Sequence, residues 1–100
     1  MIKKKFLKSK PVCQTTFELA KETVTPEKKV FLVGDFNDWD KASTQMKPKK
    51  NGTFGVTLDL ETGKEYQFRY LLGEDRWLND EEADKYVASP FGEENSVISL

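Results

Sequence analysis

Two runs of alternating side chains, separated by one tight turn, limit this chain more than any other feature. In "TFGVTLDL" Phe54, Val56, Leu58 and Leu60 fall on one side, and Gly55, Thr57 and Asp59 on the other. In "EYQFRYLL" Tyr66, Phe68 and Tyr70 oppose Gln67, Arg69 and Leu71. Alternation with period two is the signature of a half-buried strand. The intervening "ETGK" is a turn, and "KKNG" before the first run carries Asn51-Gly52, a strong hairpin signal. A third alternating run, "CQTTFELA", sets Cys13, Thr15, Phe17 and Leu19 on one side. "VFLV", Val30 to Val33, is continuously apolar and suits a strand buried on both faces or central in a sheet.

Turn signals recur about every ten residues along the chain, among them "TPEKK" and "GEDR", the pattern of a sandwich of short strands. "WLND" and "SVISL" read as further strands, and "DEEADKYVASPFGEEN" as a loop. The best helical stretch, "NDEEADKY", offers a turn or two after an Asp cap. The prediction is an all-β fold, an antiparallel β-sandwich of about seven strands. Its 100 residues fit one domain, placed at residues 11–100. Residues 1–10, "MIKKKFLKSK", are expected to form a basic, flexible arm.

Charge is unevenly spread. Residues 1–50 hold twelve Lys and six acids, a net +6, whereas residues 51–100 hold four Lys or Arg and eleven acids, a net −7. A basic block can bind nucleic acid, with affinity that falls steeply with salt. The simpler expectation is that the halves interleave and their fields cancel, so nucleic acid is not an expected partner. No apolar run approaches a membrane span, and the N-terminus lacks the apolar region of a secretion signal, so no membrane contact is expected. A single cysteine, Cys13, fits a cytoplasmic location.

Catalytic chemistry finds little support. The chain has no histidine, no CxxC and no phosphate-binding glycine loop. Its clustered acids, Asp35, Asp38 and Asp40, then Asp80, Glu81, Glu82 and Asp84, read as turn formers and solvated charges rather than a hydrolytic pair. Nor do they have the spacing of a calcium loop. No enzyme activity, metal or other cofactor is expected.

The aromatics are more informative. "GDFNDW" places Phe36 and Trp39 among turn formers. Phe36 is expected to turn inward and anchor the turn, leaving Trp39 partly exposed; the alternative is that Trp39 folds back over a hairpin as core. Trp77 likewise adjoins a loop. An indole offers a flat apolar surface to the C–H face of a sugar, and neighbouring amides can bond its hydroxyls.

"VFLVGDFNDWD", "NGTFGVTLDLETGKEYQFRYLL", "RWLND" and "SPFGEENSVISL" together resemble carbohydrate-binding module family 48. This is the glycogen- and starch-binding module of the AMP-activated protein kinase β subunit and of the N-terminus of isoamylases and branching enzymes. The likeness spans about residues 28 to 100 and rests most on the G-x-F-N-x-W turn. It implies an immunoglobulin-like sandwich and non-catalytic binding of α-1,4-glucan (glycogen, starch, maltooligosaccharide). By the resemblance, Trp39 and Trp77 are the stacking platforms and Asn95 bonds sugar hydroxyls. Phe91 stands where an apolar Leu wedges into the glucan, and Gln67 where a Lys stands. Arg69, two residues on and facing the same side, is a candidate for that Lys's role. Glu93 replaces a small hydroxyl residue. A glucan-active enzyme or another protein is a further possible partner. Gln67 and Glu93 favour a second reading, a protein-interaction or scaffold module on the same fold.

Overall fold

The computed structural model of the chain describes residues 1–25, 29–90 and 92–100. The alternating runs form strands where the pattern predicts them. The strands are β1 (Ile2–Phe6), β2 (Val12–Ala20), β3 (Val30–Gly34), β4 (Gln45–Pro48), β5 (Thr53–Glu61), β6 (Glu65–Leu72), β7 (Arg76–Leu78), β8 (Lys85–Ala88) and β9 (Glu94–Ser99). One helical turn, α1 (Lys21–Val24), follows β2, and a 3-10 turn, Asp35–Asn37, follows β3. Every strand pairing is antiparallel.

The strands run in the order β1-β2-β5-β4-β3-β6-β9-β8, with β7 also on β6. β4 makes the corner. Gln45 and Met46 pair with β3, whereas Lys47 and Pro48 pair with β5. One continuous ladder thereby curls into two layers, an all-β sandwich. β3 sits between β4 and β6, which accounts for its continuous apolar run. The core between the layers is aromatic. Phe17 meets Phe68 edge-on at 5.1 Å, and Phe68 meets Tyr70 at 5.8 Å. Such pairs add about 1 kcal/mol each beyond the area they bury.

Two features differ from the sequence expectation. Three short strands add to the reading: β1, β4 and β8. The "NDEEADKY" stretch is not helical, because the Asp80 side chain instead accepts the Glu82 N–H at 2.7 Å in a turn that feeds β8. The added β1 lies within the segment expected to form a basic arm. Ile2–Phe6 pairs with Phe17–Cys13 of β2 along its length. Two of the five lysines in residues 1–10 meet acids: Lys3 Nζ lies 3.1 Å from Glu18, and Lys4 Nζ lies 2.7 Å from Asp84, across the sandwich. Composition shows the charge but not the carboxylates waiting for it. The expected Pro26 turn and Phe91 lie outside the described residues.

Glu18 is itself nearly buried on β2, gripped by Lys3 and Lys49. Hydrogen bonds from Lys49 and then Lys3 hold its carboxyl below the usual range, against the opposing effect of burial. Opposite Glu18, Gly55 clears the path of the Lys49 side chain, since a Cβ there would lie 2.6 Å from Lys49 Cε.

Candidate functional site

The turn after β3 positions the first aromatic. Gly34 lies so close to β6 that a Cβ would stand 2.5 Å from the Gln67 carbonyl oxygen, so only glycine fits. Phe36 points inward, with its ring 5.7 Å from Phe17 and 6.2 Å from Tyr66. Asn37 stitches the loop: its Oδ1 accepts the Gly34 N–H at 3.0 Å, and its Nδ2 donates to the Leu32 carbonyl at 2.8 Å and to Thr44 Oγ1 at 3.0 Å. Asp38 and Trp39 then both take φ of 57°, in the left-handed region. That conformation costs a residue with a Cβ on the order of 1 kcal/mol or more. The cost is offset by the Asn37 bonds and by the Trp39 N–H, which donates to the Gly34 carbonyl at 2.9 Å. The two left-handed residues turn Trp39 away from the core, and it ends half-buried over the outer face of β6.

Asp35 fixes the indole. One carboxylate oxygen accepts Trp39 Nε1–H at 2.9 Å; the other accepts the Gln67 backbone N–H at 2.8 Å. β3 stops at Gly34, opposite Phe68, so the Gln67 N–H has no strand partner beyond that end. Sequence reading took Asp35 for a turn former. An indole N–H beside three carboxylates hinted at an acceptor, but not at which of the three.

The outer face of this layer has an apolar floor. Val33, Leu71 and Val97 are buried although they are directly opposite Arg69, Trp77 and Gln67, respectively. Above it, Trp39, Gln67, Arg69, Ser89, Pro90 and Asn95 line a shallow depression of about 270 Å³. Asn95, 5% exposed, donates from Nδ2 to Gln67 Oε1 at 3.1 Å. Among the described residues its Oδ1 has no partner, and neither does Arg69 Nε. Buried polar atoms are ordinarily paired, so two orphans beside one depression mark a place that a polar ligand could satisfy.

Trp77 stands on β7 directly opposite Leu71. It lines a second depression of about 460 Å³ that Arg69 also borders, together with Asp75, Asn79 and Glu93. The Arg69 guanidinium carbon lies 4.9 Å from the Trp77 ring centroid, and Lys41 Nζ lies 5.8 Å from it. Arg69 Nη1 also donates to Glu93. The fold thus gathers Trp39, Gln67, Arg69 and Asn95 around one depression and sets Trp77 across Arg69 in the next. Lys41, Ser89 and Pro90 complete the surroundings without having been singled out in the sequence.

Residues 27–92 match the family described as carbohydrate-binding module 48 (isoamylase N-terminal domain). The chain is also 32% identical over 73 residues to 5'-AMP-activated protein kinase subunit beta-1 of Sus scrofa. That overlap takes in 73% of this chain and 55% of the relative, so the chain spans about half the relative's length.

Proposed function

Because this chain belongs to the carbohydrate-binding module 48 family, we propose that its outer sheet face binds α-1,4-glucan without catalysis. One observation carries the reading. Trp39, held by Asp35, overhangs a depression that also contains a buried acceptor, Asn95 Oδ1, with no partner among the described residues. Stacking on Trp39 would bury the C–H face of a glucose ring. Asn95 and Gln67 would receive or donate to its hydroxyls, and Arg69 would border the same ring. Trp77 is the second aromatic of the face, reached across Arg69. So open a surface leaves much of a ligand in water, and the affinity expected is micromolar to millimolar, roughly −4 to −8 kcal/mol. Attachment to a glucan-active enzyme would raise it by avidity.

The test is tryptophan fluorescence during titration with maltoheptaose or β-cyclodextrin, at low and high salt. Saturable change that ignores salt and is lost in Trp39→Ala supports the reading. A folded protein with no response up to several millimolar sinks it. The protein-interaction reading draws on Glu93 and the cations over Trp77, which suit a charged partner surface. It predicts that a protein, and not glucan, protects the two Trp residues.

A further inference from the structure

The two tryptophans of this face differ in what occupies their rings. The Trp39 indole is tethered at its edge by Asp35, and its ring borders an open depression. Two cations stand over Trp77, Arg69 at 4.9 Å and Lys41 at 5.8 Å from the centroid. Arg69 is the tighter cover. Its side chain is only 12% exposed, and Glu93, 64% exposed, holds the guanidinium from the solvent side. A guanidinium withdrawn from water over an indole is bound more firmly than one at an open surface. The C–H face of a neutral sugar competes for the same ring surface. To stack there it must displace Arg69 from Trp77 and from Glu93 together.

We infer that Arg69, pinned by Glu93, closes the Trp77 platform and makes this a single-platform site that takes a short α-glucan segment through Trp39. This rests on the reading that the face binds α-glucan, and adds what length of glucan it recognises. Arg69 borders both depressions, so it is the wall between them. A glucan long enough to reach both tryptophans gains little from the second while the wall stands. Glu93, on the loop before β9, is then the specificity-determining residue. Its ion pair is with Arg69, and it acts on Trp77 through that guanidinium.

The experiment compares maltotriose and maltoheptaose affinities, by calorimetry, for the wild-type chain, Glu93→Thr and Glu93→Thr/Trp77→Ala. Glu93 is exposed, so the threonine variant should fold. Wild type is expected to bind the two sugars within about twofold of each other once the number of binding registers is allowed for. Glu93→Thr should tighten maltoheptaose roughly fivefold, with maltotriose moving less than about twofold. Adding Trp77→Ala should cancel that gain. Equal tightening of both sugars, no tightening, or a gain that survives Trp77→Ala overturns the inference. A ligand-free readout separates the two levels: the Arg69 side-chain protons should show an upfield ring-current shift that relaxes in Glu93→Thr. If that shift is absent, the cover itself is wrong, whatever glucan does. If it is present and no glucan binds any variant, the function reading fails and takes this inference with it.

Discussion

Two polar clusters lie in the same layer of this protein, and they are completed to different degrees. Around Asp80, 2% exposed, the polar atoms are met from within the chain. Its carboxylate accepts Tyr70 OH at 2.6 Å and the Glu82 N–H at 2.7 Å, and its own N–H donates to Ser96 Oγ at 2.9 Å. Ser96 Oγ in turn donates to Asn79 at 2.8 Å, and Tyr86 OH donates to the Asp80 carbonyl. Burial, then the Asp80 charge and hydrogen bond, push the Tyr70 phenol far above its ordinary range, so it remains a donor. Around Asn95 and Arg69, by contrast, two buried polar atoms are left over among the described residues. A filled network rigidifies a fold; an unfilled one beside an aromatic has capacity for a partner from outside. The boundary between the two clusters is one peptide unit. Asn95 and Ser96 are neighbours on β9 and face opposite sides of the layer, opposite Val87 and Phe68 respectively.

The largest effect should come from breaking the filled cluster. Asp80→Ala should cost about 3 kcal/mol, read as a lower urea midpoint, because it strands Tyr70 and removes the cap of the following turn. The folded fraction should keep its glucan affinity. Trp39→Ala should do the reverse, weakening maltoheptaose by about 2 kcal/mol, roughly thirtyfold, with stability changed by under about 1 kcal/mol. A loss of stability instead would identify Trp39 as core.

The neighbouring pair on β9 sharpens the contrast at smaller scale. Asn95→Ala should weaken glucan binding about fivefold and leave the unfolding midpoint nearly unchanged. Ser96→Ala should lower stability by about 1–2 kcal/mol and leave affinity alone. Equal behaviour of the two variants in both assays would erase the distinction drawn here. Asp35→Ala should weaken binding about threefold by freeing the Trp39 indole, and Asp35→Asn, which keeps one acceptor oxygen, should lose less. The readout specific to positioning is the indole N–H proton resonance of Trp39, which should move upfield in Asp35→Ala without glucan present.

The smallest effect concerns Glu18, whose carboxylate is paired with Lys3 and Lys49 and belongs to neither cluster. Its folded pKa is depressed, so its contribution is fully present above the unfolded value, near 4.5. It fades as pH falls below that value and is gone once pH has passed the lowered folded one. Both lysine partners are exposed and screened, so about 1 kcal/mol or less is involved. Glu18→Gln should flatten the pH dependence of stability in this acid window by that amount. An unchanged profile would show that the pair is thermodynamically silent.

What could be read in the sequence was local. Period-two alternation assigned inner and outer faces to β2, β5 and β6, because a strand's side chains alternate whatever lies beyond it. Turn chemistry located the Asn51-Gly52 hairpin and the "GDFNDW" loop, but it left open whether Trp39 faced outward or folded back as core. The tertiary structure decided whatever joined distant segments. The basic N-terminus became an edge strand because β2 offered it a ladder, and Glu18 and Asp84 offered it charge. Asp35 became the anchor of Trp39 because β3 ends one residue short of the Gln67 N–H. Arg69 came to lie on Trp77, held by a glutamate 24 positions away, because β6, β7 and the loop before β9 meet on one face. Alternation and turn preference act over a few residues and are written in the order of the chain. Ion pairs, close backbone approach and cation–aromatic contacts depend on which strands become neighbours, and only the closed sandwich fixes that.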